Sequence, residues 1–195
     1  MRPVHRNGVS RVIVFGLPLM LCWAGVGLGS TVRQLDTREL TIDSHDIVVG
    51  EVQSIRSYWN PAHTRIFTDV SVHVTRSLKG NPGSTLTLTQ LGGEVDGARL
   101  DVPGCPVFRP GEQSLLFVWR DSQGRAQVNG LAQGKFDIRV DPSTGERTVQ
   151  RAVPGFGAHD AKTLRVVPAG QPLPRLRLDD LVREITRALT EESTH

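Results

Sequence analysis

One stretch limits what this chain can fold into more than any other: residues 46–80, DIVVGEVQSIRSYWNPAHTRIFTDVSVHVTRSLKG. Its second arm places Ile66, Thr68, Val70, Val72 and Val74 at every other position, with Phe67, Asp69, Ser71, His73 and Thr75 between them. A period of two sends alternate side chains to opposite faces of a strand, one set toward a core and the other toward solvent. The first arm opens with Ile47, Val48 and Val49, a run that leaves no wet face, and then reaches Gly50, whose missing Cβ permits a bulge or sharp coil. A long hairpin, buried on both sides at one end and bent at a glycine, suits a sheet that closes into a barrel better than a flat one.

The N-terminus bears on compartment. Arg2, Arg6 and Arg11 precede an uncharged run from Val12 to Ser30, and Gly27 and Gly29 stand at small-residue positions before Ser30. That layout predicts a cleaved secretory signal peptide over 1–29, and so an exported protein in the periplasm or medium with no membrane insertion after processing. The whole chain of 195 residues carries 23 Lys and Arg against 20 Asp and Glu. The leader holds three of the arginines and no acid, so the processed chain is formally neutral, which weighs against a polyanion or nucleic-acid partner. The same cut removes Cys22 and leaves Cys105 alone, so no internal disulfide is expected.

Along the chain, 30–45 is a polar lead-in with a short helix or turn over 37–44, and 46–153 is the β-barrel domain. Thr85 to Leu91 alternates as a third strand. Gly92 to Glu112, broken by five glycines and three prolines, is a long excursion with a strand at 98–102. Residues 114–119, SLLFVW, read as a buried central strand, and 125–129 as a weaker one. Residues 135–140 alternate through Phe136, Ile138 and Val140, and pair across a turn with 146–151. Four prolines and three glycines make 154–176 a crossing or linker. Leu178, Leu181, Val182, Ile185 and Leu189 then form the stripe of an amphipathic helix over 177–190, packed on the barrel.

Several residues invite a chemical reading. Cys105, in VPGCPVF, is either a nucleophile awaiting a base or cation from elsewhere, or a small hydrophobe between loop prolines. His45, His63, His73, His159 and His195 show no metal-ligand spacing, so no metal and no cofactor is expected. Gly92, Gly93 and Glu94 resemble a phosphate cradle only superficially, lacking both the GK[ST] ending and the GxGxxG spacing. Asp69 and Glu51 could face each other across the hairpin as a solvated acidic pair. The hairpin tip gathers Tyr58, Trp59, Asn60, Pro61 and His63, a composition that binding surfaces favour. Trp59 either stands out there or folds back to cap the barrel end.

The order of these pieces resembles the netrin-like domain, the OB-fold barrel of tissue inhibitors of metalloproteinases. The likeness rests on DIVVGEV (46–52), the strand ending in Leu78-Lys79-Gly80, GEQSLLFV (111–118) and the helix opening at Leu178. It is similar also to small exported bacterial proteins with the same entry, hairpin and turn. The resemblance implies a mainly β, small OB-like antiparallel β-barrel with a C-terminal helix. Those inhibitors reach a protease zinc through a mature N-terminal Cys-x-Cys, which this chain lacks near Ser30, so that route is not implied. The expectation is a non-catalytic exported binding module for a protein partner, a secreted protease among the possibilities, with Tyr58, Trp59, Asn60, His63, Gly92, Gly93, Glu94 and Cys105 as its binding residues. An enzyme using Cys105 or a histidine-bound metal, and a binder of polyanions or single strands, are the alternatives.

Overall fold

The computed structural model describes residues 32–152, 158–159, 166–167 and 174–194. The expected signal peptide and most of the 154–176 crossing lie outside the described residues. In chain order the elements are β1 (Val32–Arg33), α1 (Thr37–Asp43), β2 (Asp46–Trp59), β3 (Ile66–Lys79), β4 (Thr85–Leu91), β5 (Gly93–Val95), β6 (Ala98–Leu100), β7 (Gln113–Arg120) and β8 (Ala126–Val128). A 3-10 turn (Leu131–Gly134) leads to β9 (Lys135–Val140), β10 (Arg147–Arg151), β11 (Ala158–His159), β12 (Val166–Val167), β13 (Leu176–Arg177) and α2 (Leu178–Glu192).

The fold is mainly β. Eight strands form one sheet in the order β13-β10-β9-β7-β2-β3-β4-β8, and a further pairing of β8 with β7 bends β7, β2, β3, β4 and β8 into a partial ring. The expectation of an antiparallel sheet throughout is corrected here. Leu88 of β4 lies parallel to Ala126 of β8, while β2–β3, β3–β4, β2–β7 and β7–β8 are antiparallel. The reason is one of parity: strands alternating in direction around a ring of five must meet once in parallel.

Two cores result. Inside the ring, Val48 and Val52 of β2, Val70 and Val72 of β3, Leu86 and Leu88 of β4, and Leu116 and Val118 of β7 pack together. Outside it, Ile47, Val49, Leu115 and Phe117 meet Phe136 and Ile138 of β9, Leu40 of α1, and Leu181 and Ile185 of α2. The Phe117 and Phe136 rings lie 5.7 Å apart. This is why the apolar runs of β2 and β7 show no alternation: each strand is a wall with a core on either side. The β2–β3 register slips between Val49 and Gly50, where a Cβ would stand 2.6 Å from the His73 carbonyl oxygen and from Val72 Cγ1. The register irregularity expected at this glycine is present, though its extra residue, Thr75, lies on β3, and close backbone approach favours glycine here.

The lead-in is part of this architecture. Asp36 Oδ1 accepts from Glu39 N at 2.8 Å and Glu39 Oε2 accepts from Asp36 N at 2.9 Å, a capping box that starts α1 and fixes Leu40 over the outer core. At its other end Lys79 Nζ, from the LKG turn, donates to the Thr41 and Ile42 carbonyls at 2.9 and 3.0 Å. The amphipathic stripe of α2 is buried as expected, through Leu178, Leu181, Val182 and Ile185. Val140 departs from its expected place in an alternating core set: it is exposed, because β9 has passed the end of β7 by that point.

Candidate functional site

The long excursion after β4 does not wander. Gly92 N donates to the Ile66 carbonyl at 2.8 Å, and from Gly93 the chain forms a small hairpin of β5 and β6, turning at Asp96 and Gly97, both with positive φ. An Asp-Gly pair suits that tight turn, since both positions need the left-handed region. The expected strand at 98–102 ends at Leu100, and it pairs with β5, a strand the alternation pattern does not predict. The hairpin's first strand, β5, lies against β2 and β3. A Cβ on Gly93, at φ +132°, would collide with the Ser57 and Thr68 hydroxyls.

Between this crossing segment and the β2–β3 surface lies an open cleft of about 250 Å³. Its floor and walls are Val70, Leu91, Leu100, Val102 and Phe108, and its lips are Ile55 and Val107. The polar groups within it are largely engaged. Ser57 Oγ and Thr68 Oγ1 are 2.8 Å apart, and Thr68 Oγ1 donates to the Gly92 carbonyl at 2.6 Å. Cys105 is half-buried in the wall, with its Sγ donating to the Leu91 carbonyl at 3.6 Å. Burial raises its thiol pKa, and no Lys, Arg or His is among the described residues lining the cleft. A nucleophilic cysteine needs the opposite setting, with a base or cation nearby to hold a thiolate.

Of the sequence-derived residues, the cleft unites Gly92, Gly93 and Cys105. Glu94 stays outside it, exposed on β5 opposite Arg99. The hairpin tip is a separate surface. Asn60 Oδ1 accepts from Thr64 N and Arg65 N at 2.8 and 2.9 Å, which fixes the turn. Trp59 is half-buried and stacks on His63 with ring centroids 6.0 Å apart. Tyr58 stacks on Phe67 on the other face and donates to Asp69 Oδ1 at 3.3 Å; partial burial first, and Asp69 second, raise its pKa. Asp69 and Glu51 do not face each other. The register running down from the tip places Arg56 opposite Asp69, and beyond the slip between Val52 and Ser54 His73 stands opposite Glu51.

Three residues of this region were not singled out from the sequence. Val107 and Ile55 form the lips of the cleft, and the only signal for Val107 is an apolar β-branched residue in a loop between prolines. Lys135 is the third: its side chain is only 2% exposed, paired with Glu112 at 3.0 Å and with Asp137, its Nζ 5.1 Å from the Phe108 ring centre. This pairing anchors the far end of the excursion to β9. Among the described residues no group of three His, Cys, Asp or Glu side chains is placed to hold a metal ion, and no helix is long and apolar enough to cross a membrane.

Compared with known proteins, the chain matches no family model, and no curated protein matches it.

Proposed function

We propose that this chain is an exported, non-catalytic protein-binding module built on a small OB-like β-barrel, with the cleft as its main contact surface. The barrel reading draws support from the five-stranded partial ring with its single parallel pair, which suits a five-stranded, partly open barrel. The likeness to netrin-like domains belongs to the same reading, as does a secreted protease as the partner class. The observation that carries the binding role is that Val107, 67% exposed, and Ile55, 36% exposed, line one cleft. Large apolar side chains left in water at one concave surface mark contact sites more often than accident. A formally neutral processed chain suits a protein partner better than a polyanion.

The test is a crosslinked pull-down with the tagged, processed protein and with its Val107→Asp variant. One partner should be recovered by the native protein and lost by the variant, with the two thermal midpoints within a few degrees. Equal recovery by both proteins would move the contact surface away from the cleft.

A further inference from the structure

The ladder of the β2–β3 hairpin shows which backbone groups at the cleft are free. Asn60 N donates to the Arg65 carbonyl at 2.9 Å and the Arg65 N–H returns to the Asn60 side chain, so these two residues stand at a hydrogen-bonded position of the ladder. In an antiparallel ladder such pairs alternate with pairs whose N–H and C=O groups point away from each other. Counting down the register, Tyr58 with Phe67 and Arg56 with Asp69 exchange hydrogen bonds, whereas Trp59, Ser57 and Ile55 turn theirs outward. The far side of the hairpin agrees: Ile66, opposite Trp59, turns its carbonyl outward to accept from Gly92 N.

On the β2 side no described residue meets the corresponding groups. β7 pairs with β2 only from Asp46 to Glu51, and Val52 makes the last contacts on that edge, with Glu112 and Gly111. Beyond Val52, no described residue bonds to the outward N–H and C=O groups of Ile55, Ser57 and Trp59. These are the backbone groups of the strand whose Ile55 and Ser57 side chains line the cleft. On the opposite face of the same edge Arg56 is exposed and forms no ion pair among the described residues.

From this geometry we infer that the free edge of β2 from Ile55 to Trp59 takes an extended segment of the partner protein as an added strand. The inference rests on the binding-module reading and specifies how the cleft is used. Outward N–H and C=O groups at every second residue match another extended backbone, and strand addition supplies them in register. Side chains at alternate positions of the added strand then enter the cleft beside Ile55 and Val107, so those positions are apolar. The residue between them lies next to Arg56 on the other face, where an acidic side chain is favoured. The partner segment is therefore extended, with two apolar residues flanking an acidic one.

The probe is a capped five-residue peptide with valine at positions two and four, glutamate at three and threonine at the ends, titrated into isotope-labelled protein and followed by amide NMR. Binding should slow solvent exchange at the Ile55, Ser57 and Trp59 amides. Methylating the peptide's own ladder nitrogens should weaken it by about tenfold or more, since each lost ladder bond is close to one decade in affinity. Arg56→Glu should weaken the glutamate peptide and favour one with lysine at position three. Equal binding of the methylated peptide would overturn the added strand while leaving the binding module standing. Absence of binding by every peptide would overturn it too, with the Val107→Asp pull-down judging the module separately. Slow exchange at these three amides without peptide, together with a dimer in sedimentation, would make the occupant a second copy of this chain and equally overturn the proposal.

Discussion

The two halves of β2 are one strand with opposite fates. From Ile47 to Glu51 it is paired on both edges, by β3 and β7, and largely buried; from Ser54 to Trp59 it is paired, among the described residues, by β3 alone and is largely exposed. The sequence changes with the environment, from IVVGEV to QSIRSYW. A strand does not need one character along its length, and the junction here is marked by a slip in register between Val52 and Ser54. A bulge at the end of shared pairing twists the remaining strand away from its former neighbour, which lets the second half serve as surface while the first serves as wall.

The comparison breaks most easily at its isoleucines. Ile47→Ala, in the doubly buried half, should cost about 2–5 kcal/mol, whereas Ile55→Ala, in the exposed half, should stay within about 0.5 kcal/mol. Urea unfolding of both variants measures this, and an Ile55 variant as damaging as the Ile47 variant would make the cleft lip part of the core. Gly93→Ala tests what the exposed half supports. It should destabilise by about 1–3 kcal/mol, because alanine at φ +132° is strained and its methyl meets the Ser57 and Thr68 hydroxyls.

A smaller effect is expected at Cys105. Iodoacetamide should label it more slowly than a free thiol at neutral pH, with the rate rising only above the ordinary thiol range, because burial raises its pKa. Rapid labelling at neutral pH would return weight to a catalytic cysteine. Smallest is the β9–β10 turn, remote from both halves of β2. Asp141 accepts hydrogen bonds from Ser143 Oγ and from the Ser143 and Thr144 amides, which lower its pKa to about 2. A lowered folded pKa stabilises above the ordinary carboxylate value, and that contribution fades as pH falls through about 2. Replacing Asp141 with Asn should therefore remove a slight acid dependence of the thermal midpoint between pH 4 and 2, about the span over which an ordinary carboxyl and this one titrate.

Much of the architecture is legible in the residues, for reasons that differ from place to place. Alternation in β3 and β4 reports one buried face, and the stripe of α2 reports a helix on a core, because period follows geometry directly. The two-sided burial of β2 and β7 follows from unbroken apolar runs. The parallel contact of β4 with β8 has no such local signature; it depends on how many strands share the ring, a property of the whole chain. The β5–β6 hairpin has a local signal in the Asp96-Gly97 pair, which suits a tight turn. The cleft is harder to foresee. Val107 gains its meaning only from Ile55, some fifty positions earlier, and Lys135 escapes a pattern that assigns core places to apolar residues alone. Its burial is tolerable because two carboxylates and an aromatic face replace the water it gives up.

Because β2 and β7 each separate the two cores, neither core can melt by itself without stripping one face of a strand the other still needs. Such a common partition ties the two clusters into a single cooperative unit, even though their side chains lie on opposite sides of the sheet. Losses on the two sides of the partition, at Val48 and Val49 for instance, should then be felt together by the same backbone, so that paired substitutions there depart from simple addition. A protein with no internal cross-link among its described residues gains from this arrangement a single transition where two weaker ones would otherwise stand.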